Sequence, residues 1–116
     1  MQDWVVSLGT AKSMAPEPGQ RSALFLRHGT MSLRFYAPKG TDLQTPHDQD
    51  EVYVVATGSG FFVCGPDEND LKKRAFGPGT AIFVPAGYVH RFIEFSSDFA
   101  TWVVFWGPPG GESDKS

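Results

Sequence analysis

His47, Glu51 and His90 are the residues of this chain whose types and spacing could do chemistry. Two imidazoles and one carboxylate form a donor set that holds a divalent metal on one face of the ion. The remaining positions stay open for water, oxygen or a substrate. The same donors accept Fe, Mn, Ni, Co and Zn, so residue type leaves the ion open. For the set to work, three side chains must converge. Glu51 begins a strand-like run, and alternate strand residues share a face, which puts Glu51, Tyr53 and Val55 on one side and Val52, Val54 and Ala56 on the other. His47 precedes Glu51 by four residues and reaches the same face if the backbone there is extended. His90, Phe92 and Glu94 share a face farther along. If both faces point into one barrel, His47, Glu51 and His90 meet near its mouth, with Tyr53 and Phe92 lining the pocket below them.

The elements that must position these residues are short strands. Glycine (13) and proline (9) cut the chain into pieces, and between them lie runs rich in β-branched and aromatic residues. The pattern predicts strands at Ala23–Arg27, Met31–Tyr36, Glu51–Ala56, Gly60–Cys64, Arg74–Phe76, Thr80–Val84, His90–Phe95 and Ala100–Trp106. Helical periodicity is weak throughout, and Val5–Met14 is expected to form at most a short helical turn. Regular short strands with turn signals imply an all-β antiparallel barrel or sandwich. At 116 residues the chain reads as a single domain over 1–116, with a core of about 22–106. Residues 1–21 should be peripheral, and the tail 107–116 should leave the sheet.

Composition excludes several function classes. A net charge of −3, with scattered basic residues, argues against nucleic acid, and Lys72-Lys73-Arg74 reads as a solvated turn or edge. No apolar run approaches the roughly 20 residues needed to span a bilayer, and the N-terminus has no signal-peptide pattern. A lone cysteine, Cys64, reads as a small buried hydrophobe. The expected location is cytoplasmic.

The spacing of the two histidine segments resembles the paired motifs of the cupin family. His47, Glu51 and Gly58 stand at the offsets of the first cupin motif, G-x5-H-x-H-x3/4-E-x6-G, with Gly40 one residue closer than its glycine. Gly79, Pro85, Gly87 and His90 follow the second, G-x5-P-x-G-x2-H-x3-N. The resemblance implies a small single-domain cupin, a double-stranded β-helix of the jelly-roll type. It also implies a divalent metal on His47, Glu51 and His90. Thr45 stands in place of the first motif histidine, and Glu94 in place of the closing asparagine. A water held by Thr45 or Gln49 could fill the missing position; the alternative is a pocket that binds an organic ligand by hydrogen bonds alone. His28, at the end of an early strand, is a further pocket candidate. Met31, Leu33 and Phe35 form the more apolar face of their strand and are expected inside, with Arg34 outside; turned inward, Arg34 could hold a carboxylate. The implied function is metal-dependent action on a small oxygenated molecule, dioxygenase-like, with isomerase-like chemistry or non-catalytic ligand binding as alternatives. The run Trp102–Trp106 is apolar on both faces, which together with the resemblance implies a homodimer.

Overall fold

A computed structural model describes residues 4–113; positions 1–3 and 114–116 of the expected domain lie outside the described residues. The chain forms α1 (Leu8–Ser13) and eight strands: β1 (Ala23–His28), β2 (Met31–Tyr36), β3 (Asp50–Thr57), β4 (Gly60–Gly65), β5 (Lys72–Phe76), β6 (Ala81–Val84), β7 (Val89–Ile93) and β8 (Ala100–Trp106). They pair antiparallel into a five-stranded sheet, β1-β2-β8-β3-β6, and a three-stranded sheet, β5-β4-β7. The inner faces meet in an all-β jelly roll. Tyr53 and Val55 from the first sheet pack with Phe62, Phe76 and Phe92 from the second. Every strand read from the sequence is present; β2 and β8 match at both ends, and the others shift by one or two residues at one end or both.

The shifts have local causes. β7 stops at Ile93 rather than Phe95 because Glu94 takes a positive φ of 51°, which leaves the extended region. β3 and β4 are joined at Gly58 and Ser59. Gly58 has φ 85°, and a Cβ there would sit 2.5 Å from the Phe99 Cα, so both backbone conformation and space demand glycine. Lys72, Lys73 and Arg74 lie exposed on β5, an edge strand, in keeping with a solvated edge.

One expectation needs correction. The polar face of β2 is the inner one. Arg34 is half-buried, and with Ser32 and Tyr36 it faces the barrel cavity. The apolar face is covered from outside, because the N-terminal segment folds over the sheet and packs Val6 and Ala11 against Phe35, Ala100 and Trp102. Ser7 starts that helix by accepting a hydrogen bond from the Thr10 N–H at 3.1 Å through its hydroxyl. A bulge at Phe25 shifts the β1–β2 register, so that Arg27 opposes Ser32 and joins the same inner face. The tail leaves the sheet after Trp106, where β8 ends, but over its described part it is held against the barrel. The Gly110 and Glu112 N–H groups donate to the Asp48 carbonyl and the Asp50 carboxylate, each at 2.8 Å. Asp50 also accepts from the Ala86 N–H at 2.9 Å, so one buried carboxylate ties the tail to the turn before β7.

Candidate metal centre

The mouth of the barrel is built from β3, β7 and the loop ahead of β3. Glu51 faces inward between Val84 on β6 and Phe105 on β8, and is 0% exposed. His90, on β7, is 2% exposed. The loop is pinned by the Gly87 N–H, which donates to the His47 carbonyl at 2.7 Å and brings the two motif segments together. His47 then packs edge-on against Phe105 and stays partly open to solvent.

The ligand atoms converge. His90 Nε2 lies 2.9 Å from Glu51 Oε1, and His47 Nε2 lies 4.0 Å from the same oxygen. One donor atom from each residue falls within 4.8 Å of the others. His90 Nδ1 is 2.9 Å from the Tyr88 carbonyl, which fixes Nδ1 as a donor and leaves the Nε2 lone pair aimed at the carboxylate. Both Glu51 oxygens and His90 Nε2 are buried, and beyond the 2.9 Å contact between Glu51 and His90 they find no hydrogen-bond partner. Such an arrangement costs several kcal/mol in a dry site unless a cation lies among the atoms. The donor set and its orphaned atoms therefore fit a divalent ion.

The electrostatics follow the same logic. Burial works against a charge on His90, but the hydrogen bond and charge of Glu51 outweigh it and raise the imidazole above its usual range. For His47 burial prevails and, with the neighbouring His90, lowers it despite Glu51. Burial and the Glu51 charge hold the Tyr53 phenol far above its usual range, so it remains a donor. Cys64 opposes His90 across β4 and β7, and burial keeps its thiol protonated, as for a small core residue.

The remaining site residues divide. Tyr53 is 1% exposed, and its hydroxyl donates to Gln44 Oε1 at 2.9 Å. Phe92 belongs to the aromatic floor, 4.9 Å from Tyr53 between ring centres. Gln49 lies at the cavity rim and donates to the Thr30 and Gly107 carbonyls at 3.1 and 2.9 Å. Thr45 and His28 are exposed and do not line the cavity. In the place expected for Thr45 stands Gln44, whose Oε1 is 3.4 Å from His47 Nε2. Its amide is oriented by Asp42, which accepts from Gln44 Nε2 at 2.7 Å, from the Phe92 N–H at 2.8 Å and from the Tyr36 hydroxyl. Sequence reading missed Gln44 and Asp42 because alternation misleads here. Leu43, the one apolar residue of Asp42-Leu43-Gln44-Thr45, is 69% exposed, while its polar neighbours turn in. A cavity of about 530 Å³ opens beside the centre, walled by His47, Tyr53, Gln44, Arg34 and Phe105.

This fold and this site define a barrel with paired histidine motifs at its mouth. A cupin family profile matches residues 19–112, and the chain belongs to the cupin family. It is 39% identical to an uncharacterized Streptomyces coelicolor protein over 73% of its own length and 77% of the relative's. It is 30% identical to a Pyrococcus furiosus glucose-6-phosphate isomerase over 60% of its own length and 36% of that enzyme's. A Bacillus halodurans crystal structure superposes with a TM-score of 0.75 at 15% identity, covering 92% of this chain and 83% of the other.

Proposed function

We propose that this cupin binds a divalent metal through His47, Glu51 and His90 and acts on a small oxygenated organic molecule taken up in the adjoining cavity. The observation that carries this reading is the convergence of His47, Glu51 and His90 within 4.8 Å at the barrel mouth, where the buried Glu51 and His90 Nε2 atoms find no hydrogen-bond partner outside the cluster. When bound, the ion supplies a Lewis acid that polarises a substrate carbonyl or hydroxyl, or a redox centre for dioxygenase-like chemistry if it is iron or manganese. The chain's own residues do the rest. Tyr88 holds His90 in one tautomer. Tyr53 and Asp42 fix Gln44 so that its carbonyl oxygen faces His47. The aromatic floor keeps water out from below. An isomerase-like reaction is the second reading, favoured by the similarity to the Pyrococcus enzyme, whose name gives it a sugar phosphate substrate.

Metal content of tag-free protein, followed by titration with Mn, Fe, Ni, Co and Zn salts, tests the proposal. Stoichiometric uptake, lost in Glu51→Gln and His90→Ala, supports it. Less than about 0.1 ion per chain with no uptake on titration rejects it. The same reading keeps a homodimer. Phe83, 56% exposed on edge strand β6 and beside Trp106, offers an apolar contact that a second copy would cover. Light scattering should give twice the chain mass for wild type and the chain mass for Phe83→Glu.

A further inference from the structure

Two arginines in the wall of the cavity beside the candidate metal centre, Arg21 and Arg34, are anchored by neutral groups. The wall carries one carboxylate, the exposed Asp48. Two further acids nearby are held by partners of their own. Asp42 accepts four hydrogen bonds, from Tyr36, Phe92 and twice from Gln44. Glu51 faces the two histidines.

Arg34 is the more informative of the two. It is half-buried on the inner face of β2, where an uncompensated guanidinium is costly. Its Nη1 donates to the Ser22 carbonyl at 3.0 Å and to the Ser22 hydroxyl at 3.3 Å. These bonds anchor one nitrogen of the fork, and no carboxylate lies within 4.0 Å among the ion pairs of the described residues. Arg21 is anchored in the same way, through the Leu43 carbonyl. Neutral carbonyl anchors aim a guanidinium without neutralising it.

Sheet register places this charge relative to the centre. Arg34 opposes Val103, which opposes Tyr53; one row along, Ser32 opposes Phe105, which opposes Glu51. Arg34 is thus two strand spacings, about 10 Å, from Tyr53 along the backbone sheet, and both face one cavity. A ligand of a few carbon atoms spans from the fork to the centre.

We infer that the molecule taken up here is an organic anion whose carboxylate or phosphate head is held by Arg34, supported by Arg21, while its other oxygens face His47, Glu51 and His90. This rests on the proposed function for the second half of the contact only. The planar fork matches either oxyanion with two parallel hydrogen bonds, which a lysine cannot reproduce.

The test is calorimetric titration of metal-free and manganese-loaded protein with two matched pairs: lactate against lactamide, and glucose 6-phosphate against glucose. In at least one pair the anion should bind tenfold or more tightly than its neutral partner, and the pair that responds identifies carboxylate or phosphate. Arg34→Gln should bring that anion to within about twofold of the neutral compound, and Arg34→Lys should fall between. Both variants should retain wild-type manganese uptake, which also reports that they fold. Equal binding within both pairs, an Arg34→Gln variant that binds the anion as wild type does, or no anion binding tighter than about 10 mM would overturn the inference. A wild-type protein that takes up none of Mn, Fe, Ni, Co and Zn counts against the metal proposal instead, and the metal-free titrations then decide this one.

Discussion

The mouth and the floor of the barrel are made by the same strands, two residues apart, and obey opposite rules. On β3, Glu51 gives way to Tyr53 and Val55; on β7, His90 gives way to Phe92. The floor is a set of tilted and edge-to-face rings. Phe92 touches Tyr53, Phe62, Phe76 and Phe99 with ring centres 4.6 to 5.4 Å apart. Such contacts add to stability beyond the area they bury. The mouth buries a carboxylate and an imidazole as deeply, yet gives Glu51 and His90 Nε2 no hydrogen-bond partner beyond each other. The difference teaches where stability arises and where it is given up. A dry aromatic floor can hold a polar mouth in a shape the mouth would not choose alone.

The largest effect expected from breaking this contrast is at the floor. Phe92→Ala leaves a cavity among four rings and should cost about 3–5 kcal/mol, enough to lower the melting temperature of metal-free protein by more than about 10 °C. Next comes the mouth. Glu51→Gln should weaken metal uptake by at least about 100-fold, yet at a pH above the folded His90 value, where that imidazole is neutral, leave the metal-free melting temperature unchanged or raised, because it then removes a buried charge with no cationic partner. Calorimetry of both variants side by side reads the contrast directly. If Glu51→Gln melts as low as Phe92→Ala, the mouth is ordinary core.

A smaller effect separates the metal-free and metal-bound states by pH. In metal-free protein the His90 imidazole is raised above 6.5, because Glu51 outweighs its burial. Its contribution to stability is therefore complete below 6.5 and lost as pH rises through the folded value. His47 is lowered below 6.5 by burial, so it acts in the opposite sense: protonation of the unfolded chain erodes stability as pH falls from 6.5 toward the folded value. Metal-free protein should accordingly be most stable near the crossing of these two trends and weaken on the alkaline side. Metal uptake must displace those protons and should strengthen with pH, by up to about tenfold per unit. Melting curves from about pH 5 to 9, with and without metal, should diverge on the alkaline side. Parallel curves would mean that the imidazoles do not compete for one site.

Much of this was legible in the sequence, for identifiable reasons. Strand existence follows from β-branched and aromatic runs between glycines, and β3 keeps the inward parity of Glu51, Tyr53 and Val55 that alternation predicts. The convergence of His47, Glu51 and His90 follows from motif spacing together with closure of the barrel. What escaped depends on long-range cover. Arg34 faces inward only because an N-terminal segment covers the apolar side of β2, and no local pattern reports where that segment goes. Gln44 enters the site through a loop whose single leucine points outward, so hydrophobicity argues for the wrong residue. Asp50 ties the tail to the β7 turn through backbone donors, which carry no sequence signal.

The third inward position of β7 completes the series from mouth to floor and predicts the smallest effect. After His90 and Phe92, alternation would aim Glu94 into the core. Instead the backbone turns to φ 51°, the strand ends, and the side chain leaves the face to pair with Lys73 at 3.0 Å with both groups more than half exposed. A non-glycine residue there costs about 1 kcal/mol, less for asparagine, whose short amide tolerates the left-handed region. An exposed ion pair returns at most about that much and is screened by salt. Asparagine is also what closes the family motif at this position. Glu94→Asn should therefore raise stability by roughly 0.3–1 kcal/mol, more clearly at high salt, where the Lys73 pair contributes nothing. Glu94→Gln removes the same charge while keeping a long side chain on the same backbone, and should be neutral or slightly destabilising. Denaturant melts of the two variants at low and high salt separate backbone from charge. If asparagine and glutamine behave alike, the left-handed turn is not what ends β7, and the boundary of the floor is set by packing alone.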